Sequence, residues 1–156
     1  MGWGAWLGRL LPRRRRHRDI LSFDHELKAA GGLAGRSDRG IQTVPTDRIV
    51  GSVSRWQNLR SDFFYRSGEV TARFHRVGAA MRDGKILPPL ELYKLKPRRK
   101  VGAEERAVTE YYVVDGHHRV AMAKQVGQGE MEAHVVEHRV PAEPGQEPRP
   151  EEPKKE

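Results

Sequence analysis

Few stretches leave a backbone less choice than Tyr111 to Gln125, YYVVDGHHRVAMAKQ. Tyr111, Tyr112, Val113 and Val114 are aromatic or β-branched and predict a buried strand. Val120, Ala121, Ala123, Lys124 and Gln125 predict a helix, which Gly127 ends. Asp-Gly-His-His-Arg lies between them. A strand passing directly into a helix leaves the first helical N–H groups without intrahelical acceptors, at the positive end of the helix dipole. An anion is well received there. Arg119 adds a guanidinium, and His117 and His118 add donors when protonated. The turn therefore reads as an anion pocket for nucleotide phosphates, with Gly116, His117, His118 and Arg119 as the phosphate-binding residues.

The same five residues also fit an ordinary helix start, with Asp115 as N-cap, Gly116 turning the chain and the remaining side chains in water. Asp115 separates the two readings. A carboxylate beside a bound phosphate repels it unless it turns away or shares a divalent cation with it. Asp115 is therefore either a structural cap or a magnesium ligand. In the second case the expected cofactor is a nucleoside triphosphate or diphosphate with magnesium, and Asp115, His117 and His118 become candidate catalytic groups.

At 156 residues the chain has room for one domain with a modest core, plus tails. Charged residues make up 32% and the mean hydropathy is −0.77, so part of the chain is expected to stay unpacked. The net charge of +8 favours polyanionic partners without choosing among nucleotide, nucleic acid and anionic lipid. Cysteine is absent, which excludes disulfides and thiolate chemistry. No apolar run approaches the roughly 20 residues of a membrane-spanning helix, so a cytoplasmic protein is expected.

Residues 1–18 differ in character. Trp3, Trp6, Leu7, Leu10 and Leu11 fall at helical spacing, and Arg13 to Arg16 follow. This fits an interfacial anchor on anionic membrane, an arm for nucleic acid, or a stripe docking on the domain itself. Asp19 to Ala30 predicts a short helix stopped by Gly31 and Gly32, and 31–40 reads as a flexible linker, so the domain is expected to begin near Ile41. Ile41 to Val44 predicts a strand halted by Pro45. Residues 51–63 show no period and read as a polar loop. Glu69 to Arg82 predicts a helix with Val70, Phe74, Val77, Ala80 and Met81 inward, His75 and Arg76 outward or on the rim of the site, and Asp83-Gly84 at its end. Leu90 to Leu95 predicts a strand, on which Glu91 is either a solvent-facing carboxylate or a general base in the cleft. Lys96 to Thr109 reads as an exposed connection between paired strands, and Glu130 to Val136 as the last strand. Pro141 to Glu156 is rich in Pro and Glu and reads as a disordered tail.

From Ile41 to Val136 the chain resembles the ParB/sulfiredoxin-like superfamily, whose strand–turn–helix carries a short box such as GERR, GCHR or DGHHR. The matching pieces are IQTVPTDRI at 41–49, LPPLELYKL at 87–95, YYVVDGHHR at 111–119 and MEAHVVE at 131–137, with the helical stretch 69–85 between the first two. The resemblance implies a small mixed α/β (α+β) sheet with helices, spanning 41–140 between two loose ends. It also implies nucleotide-phosphate binding at the box, with Ser52, Ser54 and Arg55 from the stretch after the first strand as further phosphate contacts. Sulfiredoxin-type catalysis needs the cysteine of GCHR, whose place His117 takes here. The helix-turn-helix that follows the nucleotide domain in partition proteins has no room before the proline-rich tail. Two classes of function remain: a nucleotide-dependent phosphotransferase, nuclease or hydrolase, and a nucleotide- or nucleic-acid-binding module without turnover.

Overall fold

The computed structural model describes residues 20–67 and 72–141. In chain order the elements are β1 (Leu21–Ser22), α1 (Phe23–Ala29), β2 (Gly35–Pro45), a 3-10 turn at Thr46–Arg48, β3 (Ile49–Ser52), α2 (Ala72–Arg82), β4 (Leu90–Leu95), β5 (Arg98–Val101), β6 (Glu104–Ala107), β7 (Glu110–Asp115), α3 (His117–Val126) and β8 (Glu130–Arg139). The arm at 1–18, the first residues of the second expected helix and the tail beyond Pro141 lie outside the described residues.

Six strands form one mixed sheet in the order β1-β3-β7-β4-β8-β2, and β5 and β6 form a separate antiparallel hairpin. The mixed α/β class expected from the sequence is the class observed. β7 has the core character its residues predict: Tyr111, Tyr112 and Val113 are all buried, since the strand has a neighbour on each side and packing on both faces. β3 runs parallel to it and β4 antiparallel. On one face Leu90, Leu92, Val113 and Val135 join Val120, Ala121 and Ala123 of α3 in the larger core. Removing each aliphatic side chain of this size from water stabilises the fold by roughly 2 kcal/mol. On the other face Phe23 of α1 packs edge-on against Tyr112 and Tyr93, with Leu95 beside them.

Three expectations are corrected. Residues 35–40 are not a linker but the first half of β2, an eleven-residue edge strand paired antiparallel with β8. A break in register between Asp38 and Ile41 absorbs Gly40, which sits at φ +68°. The ordered sheet therefore includes residues well before Ile41. The polar loop expected over 51–63 starts later, because Gly51 and Ser52 end β3; Gly51 is required there because a Cβ would enter the Tyr112 ring and the Leu21 carbonyl. The helix expected over 19–30 is shorter, because Leu21 and Ser22 first pair with β3 and Ser22 then caps α1 by accepting the His25 N–H.

Candidate functional site

Parallel pairing decides where the site lies. Ser52 stands opposite Val113, so β3 and β7 end at the same edge of the sheet. The chain leaves β3 through Ser54 and Arg55, and leaves β7 through Asp115 and Gly116 into α3. Crevices outside the carboxyl ends of adjacent parallel strands are where open α/β sheets take ligands. Here α2 closes the third side with Arg73 and Val77, giving a cavity of about 170 Å³.

Gly116 makes the junction this tight. It lies at φ +108° in the left-handed region, and a Cβ would strike the Leu90 side chain. Its carbonyl accepts the Val120 N–H, which closes the first turn of α3. Gly116, not Asp115, is the N-cap, and no side chain caps the helix. The structural-cap reading of Asp115 is thereby corrected; the residue lines the cavity. His117, His118 and Arg119, the first residues of α3, line the same cavity.

Arg55, Arg73, His117, His118, Arg119 and Asp115 line the cavity, along with Ser54, Gly116, Val77 and Val114. Three arginines and a single acidic residue thus line it, and the Arg55 Nη1 donates to the Tyr65 hydroxyl at 3.3 Å. The Arg119 Nη1 donates to the Pro88 carbonyl, which restrains the guanidinium. Burial lowers the Arg119 pKa from its ordinary value, with Asp115 opposing and Arg73 adding to the lowering. The guanidinium stays charged at any pH a protein meets.

The histidines behave differently from expectation. His117 is buried, and burial, with Arg55 and His118 behind it, pushes its pKa down to about 4 against a smaller pull from Asp115. Burial, Arg73 and Arg55 also lower that of His118. At neutral pH both rings are uncharged, so the positive potential of the cavity comes from arginine and from the helix amides. His118 lies near the rings of Tyr65 and Phe74, at 6.0 and 6.4 Å between centroids.

Two predicted site residues are not on the cavity wall. Ser52 is fully buried beneath it, bonded to His117 Nε2 at 2.8 Å. Glu91 lies directly opposite Asp115 in the β4–β7 ladder, but its carboxylate is held by His134 Nδ1 at 2.9 Å. The other nitrogen of that ring, Nε2, meets Asp38 at 2.8 Å. Glu91 therefore belongs to a bridge across β4, β8 and β2, which removes it as a general base in the cleft. Arg73 is the residue the sequence reading missed. It precedes Val77 by four positions and so shares its helical face, while His75 and Arg76, expected either outward or on the rim, are exposed and off the cavity wall, the outward of those two placements.

Among the described residues, no group of three or more His, Asp and Glu side chains is placed to hold a metal ion. No helix among them is long and apolar enough to cross a membrane. No protein-family model matches the chain, and no curated protein does. Among solved structures it is similar to a Pnob8-like ParB-N domain at 10% identity and a TM-score of 0.39, over 70% of this chain and 33% of that one. The chain thus spans about a third of that neighbour's length, and a likeness of this size carries no weight for what the cavity holds.

Proposed function

We propose that this protein binds the phosphate end of a nucleotide in the cavity at the start of α3. One observation carries the reading: Arg55, Arg73 and Arg119 line one cavity together with the first residues of a ten-residue helix that no side chain caps. A cavity of about 170 Å³ is smaller than the roughly 300–1,000 Å³ of sites that enclose a whole small molecule. It suits a phosphate or diphosphate group, with sugar and base lying outside. Titration of the full chain with inorganic phosphate, pyrophosphate, nucleosides and nucleoside di- and triphosphates, followed by calorimetry and thermal stability, tests this. Phosphate-bearing ligands bind and nucleosides do not. Equal binding by wild type and Arg119→Ala overturns the proposal, as does no response to any phosphate.

Asp115 favours a second reading, a magnesium-dependent phosphotransferase, nuclease or hydrolase. Magnesium takes one or two carboxylates together with phosphate oxygens and water, and the single carboxylate on the wall fits that set. Bound there, magnesium would neutralise charge on a transferring phosphoryl group. In this reading magnesium strengthens phosphate binding to the wild type but not to Asp115→Asn, and a nucleoside triphosphate releases phosphate only with the metal present. In the binding-only reading Asp115→Asn binds phosphate more tightly, because a repelling charge has gone.

A further inference from the structure

Ser52 ends β3 with no exposed surface. Its Oγ accepts the amide N–H of Ser54 at 3.3 Å and that of Arg55 at 3.0 Å. Those two bonds occupy both lone pairs of the hydroxyl oxygen, so its proton is left to donate. The acceptor in reach is Nε2 of His117, 2.8 Å away. With the ring proton on Nε2 instead, three N–H groups would face one oxygen with two lone pairs. The hydroxyl proton would then be sealed in without an acceptor. The ring proton therefore belongs on Nδ1. Among the described residues Thr46 Oγ1 is the one buried side-chain polar atom without a partner, so His117 Nδ1 is not sealed off. His117 is itself among the residues that line the cavity.

We propose that Ser52 is a positioning residue: its hydroxyl fixes the tautomer and plane of His117, which then offers Nδ1–H as a neutral, directional donor to an anion's oxygen. The donor role rests on the reading of the cavity as a phosphate site; the tautomer does not. The arrangement separates two tasks. The arginines supply attraction at a distance, and one uncharged N–H selects the ligand by where its oxygen lies. Ser52 does this without touching the ligand, since it has no surface.

Long-range proton–nitrogen NMR on the full, ligand-free chain at neutral pH reads the tautomer directly. The wild type shows a protonated Nδ1 and a bare Nε2 at His117. Ser52→Ala releases the lock, populates the Nε2–H form and weakens inorganic phosphate binding by roughly 3- to 10-fold, the loss of one neutral hydrogen bond. An Nε2–H ring in the wild type overturns the inference, and so does a Ser52→Ala ring that keeps Nδ1–H. Where Ser52→Ala does not fold, the wild-type spectrum with and without phosphate decides, because the Nδ1–H signal must shift when phosphate binds. If phosphate moves the Arg119 signals but the tautomer is wrong, the cavity reading survives and this one falls. A correct tautomer with no response to phosphate removes the cavity reading and the donor role with it.

Discussion

Arg99 holds the carboxylate of Glu110 with two hydrogen bonds, Nε to Oε2 at 3.2 Å and Nη2 to Oε1 at 2.7 Å. The Tyr112 hydroxyl donates to the same carboxylate at 3.0 Å, and Arg99 also reaches Glu26 at 2.7 Å. One guanidinium thus fastens the β5–β6 hairpin to β7 and to α1. These bonds raise the Arg99 pKa above its ordinary value, Glu110 foremost, against the opposing effect of burial. Burial raises that of the Tyr112 hydroxyl, and the Glu110 charge adds to it. Arg99→Ala leaves the Glu110 carboxylate, only 10% exposed, without its cation. Breaking a fully buried pair costs about 3–5 kcal/mol, and the partial exposure of Arg99 reduces that to about 2. Urea denaturation of Arg99→Ala measures the loss. Adding Glu110→Gln in the same chain restores part of it; a loss below about 0.5 kcal/mol would mark the clasp as a surface pair.

Acid destabilises the protein through His117. Its folded pKa of about 4 lies below the ordinary 6.5, so between these values the unfolded chain binds more protons than the folded one. The contribution is complete above pH 6.5 and is lost as pH falls toward 4, by a total on the order of 3 kcal/mol. His118 shifts in the same direction. His117→Gln keeps an acceptor for Ser52 but does not titrate, so its stability falls less steeply over that interval. Denaturation at a series of pH values gives the two slopes, and equal slopes would rule out His117 as the cause.

Gly116→Ala combines two faults, a left-handed φ of +108° and a Cβ directed at Leu90. Strain of this kind costs about 1–3 kcal/mol, and the clash adds to it. A loss of about 3 kcal/mol in denaturant is expected, together with weakened phosphate binding, since the turn that leads into α3 at the cavity must deform.

Arg73→Ala weakens phosphate binding by about 10-fold, the scale of one charge-assisted hydrogen bond at a partly exposed site. Arg76→Ala changes it by less than about 2-fold, because Arg76 is not on the cavity wall. Calorimetry on the two variants separates a shaped site from a generally basic helix, for which the two losses would be equal.

His134 titrates above its ordinary value, because it is hydrogen-bonded to Glu91 first and to Asp38 second. The sign is opposite to that of His117. Its stabilising charge is complete below the ordinary pKa and is lost as pH rises through the raised one. Glu91→Gln brings the His134 pKa down in an NMR titration and leaves phosphate binding unchanged. A loss of phosphate binding in Glu91→Gln would return that carboxylate to the site.

What could be read in advance follows from where each signal is stored. β7 and α3 carry their own instructions: Tyr111 to Val113 suit a strand with neighbours on both sides, and Gly127 adopts the left-handed cap its type permits. β3 does not, because Gly51 and Ser52 are poor strand formers that are needed for close approach and for an internal hydroxyl. Gly35 to Gly40 are ordered by Val136 to Arg139, about a hundred positions later, so local composition points to a linker where tertiary pairing makes a strand. Glu91 looked available because its own strand places it at a surface; its partner His134 arrives through a parallel register that alternation cannot reveal. Arg73 was lost among many arginines, because choosing between it and Arg76 needs the phase of α2 against the sheet.

Ser52 and His117 stand 65 positions apart, and the seam that joins them is the parallel ladder of β3 on β7. No hairpin or excised segment can reproduce that seam, since closing so long a loop gains nothing until the strands between have taken their places. Emptying the cavity and melting the sheet are therefore coupled events. A tightly held anion would raise the midpoint of unfolding for the whole molecule, and a cut anywhere between the two strands that lets them part would abolish binding even with every lining side chain intact.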